Sequence, residues 1–287
     1  MSTSERSPDR VVRAMTDDGS FRVIVANTSA TCREICRRQN LKGNTARLLS
    51  ELITGAVLVR ETMAPWIRAQ AIAVGAARKG KLIADVYPDG SCRGLAQLND
   101  ASDFTFGDGA LLQVMRGLAN GKTHEGTIDM TDSSEISDAL MSYLHRSEQI
   151  NCVINVSAAQ HGKSIKQSGG YIVQLLPEAT RPAHMIMTER LDTFPSMQEI
   201  FSHGGPWLEN VLEEILYGMP FTILEQSDLR FKCQCSQARV LTSLASLDRE
   251  SIRDLISVNQ VLEVECDFCG ENYQIMAERL RSLLSEN

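Results

Sequence analysis

The sequence predicts an α+β fold: a core domain of mainly antiparallel sheet with helices, a helical linker, and a small C-terminal four-cysteine module. Three observations predict it. Strand-like runs punctuated by Gly, Pro and Asn turns recur up to about residue 180, with helices of clear apolar periodicity among them. From Pro182 the composition shifts to helical pattern and loop. Near the end stand two cysteine pairs, Cys233-Gln234-Cys235 and Cys266-Asp267-Phe268-Cys269. The expected organisation is a polar N-terminal tail (1–20), an α+β core (21–180), a helical linker (181–231) and a small four-cysteine module (232–287).

Taken in order, residues 1 to 20 are polar and are expected to fray. Phe21 to Ala26 reads as a strand, and Thr28 is placed to cap the helix that follows. A second helix, about Asn44 to Glu61, is rich in Leu, Ala and Ile, and Pro65 stops its continuation. Strands are expected at Trp66 to Val74 and Leu82 to Tyr87, then a Pro88-Asp89-Gly90 turn into Ser91 to Gln97. Ala110 to Met115 and Gly126 to Met130 read as further strands, separated by Gly117, Asn120 and Gly121.

The clearest helix has Ile136, Ala139, Leu140, Tyr143 and Leu144 at i, i+3, i+4, i+7 and i+8, with Ser133 or Ser134 as its cap. Asn151 to Val156 and Gly170 to Leu176 complete the strands of the core. In the linker, Pro206 suits a first helical position, Trp207, Leu208, Val211, Leu212, Ile215 and Leu216 share one apolar face, and Gly218 ends the helix. The last module is expected to hold a helix after Ser236, another after Asp248, and an alternating strand from Val261 to Glu265.

Composition excludes several functions. With 43% hydrophobic residues in 287, there is enough apolar material for a real core. The 29 basic against 36 acidic residues, net −7, disfavour a global grip on nucleic acid or on an anionic membrane. Met1 to Arg10 lacks the apolar stretch of a secretory signal, and the run from Ile53 to Val59 is broken by Arg60 and Glu61, far short of a membrane span. A cytoplasmic protein is expected. In that reducing compartment eight cysteines read as metal ligands, redox groups or buried thiols before structural disulfides.

Cys233, Cys235, Cys266 and Cys269 carry the chemistry. Thiolate sulfur suits zinc, structural zinc is four-coordinate, and each short knuckle aims two sulfurs at one ion. Thirty residues, 236 to 265, separate the pairs, and none of the five histidines lies beside them. An all-cysteine site for one Zn2+ is therefore expected. A module of this size buries too little surface to be comfortably stable alone, so the metal should hold it folded. The plain alternative is a permanent structural zinc module, acting as a constitutive adaptor. A thioredoxin-like pair at Cys266 and Cys269 is disfavoured, because that motif belongs at a helix start and here follows a Val/Glu strand.

The order of a strand, a helix pair, Pro88-Asp-Gly-Ser-Cys-Arg-Gly-Leu95, Ser147-Glu-Gln-Ile150, Gly169-Gly-Tyr-Ile-Val-Gln-Leu-Leu-Pro177, Phe231-Lys-Cys-Gln-Cys-Ser236 and Val264-Glu-Cys-Asp-Phe-Cys-Gly-Glu-Asn-Tyr273 resembles the bacterial 33-kilodalton heat-shock chaperone family, the redox-switched holdases. The resemblance runs from about residue 21 to the end. It implies a cytoplasmic, ATP-independent chaperone that is not an enzyme, quiescent when reduced and zinc-bound and activated by oxidants combined with unfolding stress. It further implies a homodimeric active form, unfolded or partly unfolded proteins as clients, and redox-active disulfides at Cys233, Cys235, Cys266 and Cys269 on oxidation. Disulfides within each pair would close short rings and leave the module unstapled, so oxidation with zinc loss should unfold it and free the apolar face of the linker.

Other singled-out residues are read more plainly. Cys32 and Cys36 lie four apart on one helix and could face together. They, Cys92 and Cys152 are expected to be semi-buried thiols without a ligand role. His161-Gly162-Lys163 reads as a solvated loop, and no phosphate-binding loop pattern is present in the chain.

Overall fold

The computed structural model describes residues 8–99, 103–117, 122–131, 135–258 and 261–285. The chain divides into two compact units at the Lys232–Cys233 boundary. The first unit opens with β1 (Arg10–Thr16), β2 (Phe21–Asn27), α1 (Ser29–Arg38) and α2 (Gly43–Glu61). There follow β3 (Ala69–Val74), β4 (Lys81–Val86), β5 (Ser91–Gln97), β6 (Leu111–Gly117), β7 (Thr123–Asp129) and α3 (Ile136–Ser147). Next come β8 (Cys152–His161), β9 (Ser164–Leu175), α4 (Arg181–Asp192), α5 (Met197–His203), α6 (Trp207–Ile215), β10 (Phe221–Asp228) and β11 (Arg230–Phe231).

Two sheets result. One has the order β10-β1-β2-β9-β8 and is antiparallel throughout. The other has the order β11-β5-β4-β3-β6-β7, antiparallel except for the short parallel pair β11–β5. Helix α2 packs against β2, β8 and β9 of the first sheet and β3, β4 and β5 of the second. Its sequence explains the place: from Thr45 to Glu61 all but one residue is buried, as a helix apolar on every side requires. Each of Leu49, Leu52 and Ile53, wholly buried there, contributes on the order of 1.5–3 kcal/mol through burial.

The first sheet is covered on both faces, and the period of two assigns each residue to a core. Ile24 and Ala26 of β2 join the core around α2, whereas Phe21, Val23 and Val25 face a second core built with the later helices. Trp207, Leu208, Val211, Leu212 and Ile215 of α6 are buried in that second core. Trp207 needs Gly169 beneath it, since a Cβ at Gly169 would lie 2.3 Å from the indole. Phe201 meets the Trp207 ring edge-on, with centroids 5.1 Å apart.

Several expectations are corrected. The first twenty residues contain a strand: β1 pairs with both β2 and β10, and Val11 and Ala14 are wholly buried. Arg13 makes that burial possible, because its guanidinium is paired with Glu61 and Glu225. Segment 181–231 contains three helices, but ends in β10 and β11 rather than staying helical. Helix α1 follows Thr28 without a side-chain cap from it; Thr28 Oγ1 lies 2.7 Å from Thr54 Oγ1 instead. The cap comes from Asp9, whose carboxylate accepts from Ala30 N at 2.9 Å and Thr31 N at 2.6 Å. Strand β3 begins at Ala69, leaving Trp66 exposed, and Pro206 precedes α6 by one residue. β8 and β9 are longer than expected, meeting in a hairpin at His161-Gly162-Lys163. The expected Ser133 or Ser134 cap and the Asn120 and Gly121 breaks lie outside the described residues.

Candidate metal centre

The second unit consists of α7 (Gln237–Ala245), α8 (Arg249–Val258), a hairpin of β12 (Val261–Glu265) and β13 (Asn272–Met276), and α9 (Ala277–Ser285). Ser236 starts α7 by accepting from Arg239 N at 3.3 Å. The apolar cluster here is small: Ile252, Ile275 and Leu280 are its buried members, ringed by half-buried residues such as Val240, Leu244 and Leu255.

The two knuckles are placed by this framework. Cys233 and Cys235 precede the start of α7, and Cys266 to Cys269 form the turn of the β12–β13 hairpin. That turn is closed by backbone bonds: Cys269 N and Gly270 N donate to Cys266 O at 3.1 and 2.8 Å, and Cys266 N donates to Glu271 O at 2.9 Å. All four Sγ atoms lie within 4.8 Å of one another, a cluster that could hold a metal ion. Across the knuckles, Cys233 Sγ is 3.7 Å from Cys266 Sγ and Cys235 Sγ is 3.4 Å from Cys269 Sγ. All four are free thiols.

Sulfur basicity varies across the cluster. Burial acts to raise the Cys233 thiol, but hydrogen bonds from the Cys235 backbone and from neighbouring cysteines outweigh it and bring it down to about 7. Burial raises Cys266 and Cys269. One participant carried no assigned role in the sequence: Tyr273, whose hydroxyl donates to Cys235 Sγ at 3.1 Å. That bond is the main reason its own ionisation is pushed up. The available signal was its place four residues past Cys269, on the strand that leaves the second knuckle.

The other four cysteines lie apart, in the first unit. Cys32, Cys36 and Cys92 are buried rather than semi-buried, and Cys152 is intermediate. Cys32 Sγ is 3.7 Å from Ser50 O, Cys36 Sγ is 3.8 Å from Ala46 O, and Cys92 Sγ is 3.7 Å from Gly90 O. Cys32 and Cys36 therefore both face α2. Burial pushes Cys32 up to about 12, Cys36 to about 11 and Cys152 to about 12, and raises Cys92 as well. His161 is exposed at the β8–β9 hairpin.

Comparison with known proteins covers almost the whole chain. The family model described as Hsp33 protein matches residues 9–276. The 33 kDa chaperonin of Syntrophotalea carbinolica is 29% identical over 96% of this chain and 99% of its own length. That of Geobacter sulfurreducens is 29% identical over 98% and 97%. Among solved structures, the 33 kDa chaperonin of Thermotoga maritima superposes with a TM-score of 0.82 over 97% of this chain and 98% of that one, at 21% identity, and shows the same fold. A two-sheet domain followed by a unit whose four-thiol cluster fits a redox switch, in a chain matched by a single family model over nearly all its length, identifies a redox-regulated chaperone rather than an enzyme: the chain belongs to the Hsp33 family.

Proposed function

We propose that Cys233, Cys235, Cys266 and Cys269 hold one Zn2+ in the reduced protein, and that their oxidation converts a quiescent protein into an ATP-independent holdase for unfolding proteins. The observation that carries this is the thiol cluster itself. A zinc ion with four sulfurs at about 2.3 Å needs neighbouring sulfurs about 3.8 Å apart. The cross-knuckle separations of 3.7 and 3.4 Å are close to that. An all-sulfur donor set also selects zinc over oxygen-preferring cations. When bound, zinc would offset half the charge of four thiolates that would otherwise repel one another.

The small apolar cluster of this unit makes its fold depend on that ion. Peroxide or hypochlorous acid removes electrons from the sulfurs, forming disulfides and discharging the metal. Bridges within each pair would span only one or two intervening residues, which constrains the unfolded chain little. The unit then unfolds. Since it continues directly from β11, its disorder can extend into the preceding segment, where α4–α6 cover one face of the first sheet. Release of Trp207, Val211, Leu212 and Ile215 would uncover an aliphatic surface suited to varied apolar clients. Reductant and zinc reverse the sequence by thiol exchange. The reading includes a homodimeric active form acting in the cytoplasm. No described helix is long and apolar enough to cross a membrane.

The test compares reduced, zinc-loaded protein with peroxide-treated protein, warmed mildly, in suppressing aggregation of a chemically unfolded client without ATP. Zinc release is followed in parallel with a chromogenic chelator. Activity should rise with the loss of about one zinc per chain and vanish on reduction with zinc. Zinc loss without any gain of activity would instead support a permanent structural module.

A further inference from the structure

The sulfurs of the cluster accept hydrogen bonds from outside their own side chains, and the donors are of two kinds. Peptide N–H groups serve three of them: that of Cys235 donates to Cys233 Sγ, those of Phe268 and Cys269 to Cys266 Sγ, and that of Glu271 to Cys269 Sγ. For Cys235 the donor is a side chain, the Tyr273 hydroxyl at 3.1 Å. A peptide donor belongs to the backbone whatever residue carries it, whereas this one depends on a single oxygen atom.

The hairpin puts that oxygen in place. Tyr273 lies on β13 opposite Val264 of β12, and with Ile275 it turns toward the apolar cluster, while Gln274 between them is exposed. Its ring is therefore held by packing, and the hydroxyl at its end reaches back 38 residues to the first knuckle. Beside it, Gln237 Nε2 at the start of α7 donates to Gln274 O at 3.5 Å. The strand leaving the second knuckle thus holds the first one through side chains as well as through the sulfurs.

A sulfur that accepts such a bond has one lone pair committed to it, which fixes the direction of the others and lowers its nucleophilicity. We propose that Tyr273 is a positioning residue of the switch, its hydroxyl aiming the Cys235 sulfur at the centre of the cluster and blunting its attack on oxidant, so that it sets the oxidant dose at which the module opens. The inference rests on the zinc-switch reading above and adds to it a residue that ligates nothing. The step it slows begins when the sulfur lone pair attacks one peroxide oxygen; the O–O bond breaks and hydroxide leaves, giving Cys–SOH. The thiolate of the knuckle partner then displaces a second hydroxide to close the disulfide, so two thiolates lose the two electrons that one peroxide gains.

The experiment uses the full-length, zinc-loaded protein and its Tyr273→Phe variant, which keeps the ring in the apolar cluster and removes only the hydroxyl. Zinc affinity is read by competition with a chromogenic chelator, and the first sulfur oxidised is found by trapping sulfenic acid at limiting peroxide and mapping the peptides. The variant should bind zinc about 10–100-fold more weakly, and the share of Cys235 among the first sulfurs oxidised should rise. In a Cys235→Ala background the effect of Tyr273→Phe on affinity should disappear, whereas a role in packing alone would leave it unchanged. Wild type loaded with an NMR-active cadmium isotope gives a readout that needs no variant to fold: the Tyr273 hydroxyl proton should exchange slowly and show coupling to the metal through Cys235. Equal affinity with an unchanged order of oxidation, or a hydroxyl proton without metal coupling, would overturn the role of Tyr273 and leave the switch standing. A wild type that binds no zinc would overturn the switch reading and this inference with it.

Discussion

Cys32, Cys36 and Cys92 lie buried in the first unit, each with its sulfur near a backbone carbonyl and its ionisation pushed up by burial. Cys233, Cys235, Cys266 and Cys269 instead face one another in a unit with a sparse apolar cluster. The same side chain thus serves as packing in one region and, in the function proposed above, as a switch in the other. Convergence of the sulfurs makes the difference, since a buried, protonated thiol is a poor nucleophile and a poor ligand.

The largest effect that would sharpen this contrast is metal removal. Stripping zinc from the reduced protein with a strong chelator should unfold residues 233–287, because structural zinc contributes on the order of 10–16 kcal/mol in small finger peptides. Exchange protection of α7–α9 should vanish while that of α2 and β2 persists. Full protection of α7–α9 in zinc-free protein would erase the distinction, making the second set of cysteines as dispensable to its fold as the first.

A smaller effect is expected in thiol labelling. Cys32, at about 12 against an ordinary value of 9.0, carries about a thousandfold less thiolate near neutrality than an unperturbed thiol. Zinc-free protein whose first unit is still folded, treated with a maleimide, should therefore label at the four C-terminal cysteines, with Cys32 and Cys36 modified only after denaturation of that unit. Peptide mapping that found Cys32 labelled as fast as Cys233 would break the comparison.

The smallest effect extends the argument to a carboxyl group on the helix that Cys36 faces. Glu51 is buried on α2 and its carboxyl is pushed up to about 7, chiefly by burial despite the Arg47 pair at 2.7 Å. The folded state thus favours the protonated acid. That contribution is complete below the ordinary value of 4.5 and is lost as pH rises through about 7, up to about 3 kcal/mol in all. Urea unfolding of the first unit at pH 5 and pH 8 should show it, and Glu51→Gln should flatten the difference. An unchanged pH slope in the variant would mean that burial is not what sets this group.

What the sequence made legible follows the range of the interactions. The tetrad was readable because C-x-C and C-x-x-C are local, and α2 and α3 because their apolar residues recur within a few turns. β1 was hidden by Arg13, a charge mid-strand whose partners, Glu61 and Glu225, lie far along the chain. β10 was hidden because its pairing with β1 spans about two hundred residues, which no local period reports. Asp9 capping α1 from outside the helix is a third case, as is Tyr273 on Cys235, where folding rather than spacing makes the contact.

That long pairing has a consequence for synthesis. The ribosome releases β1 first, yet its partner β10 is about 205 residues away, roughly 10–40 s at ordinary elongation rates. Throughout that interval the first sheet has an open edge beside Val11 and Val12, and α4–α6, which cover one of its faces, also emerge late. A protein whose work is to guard exposed apolar surface therefore presents such a surface itself while it is being born.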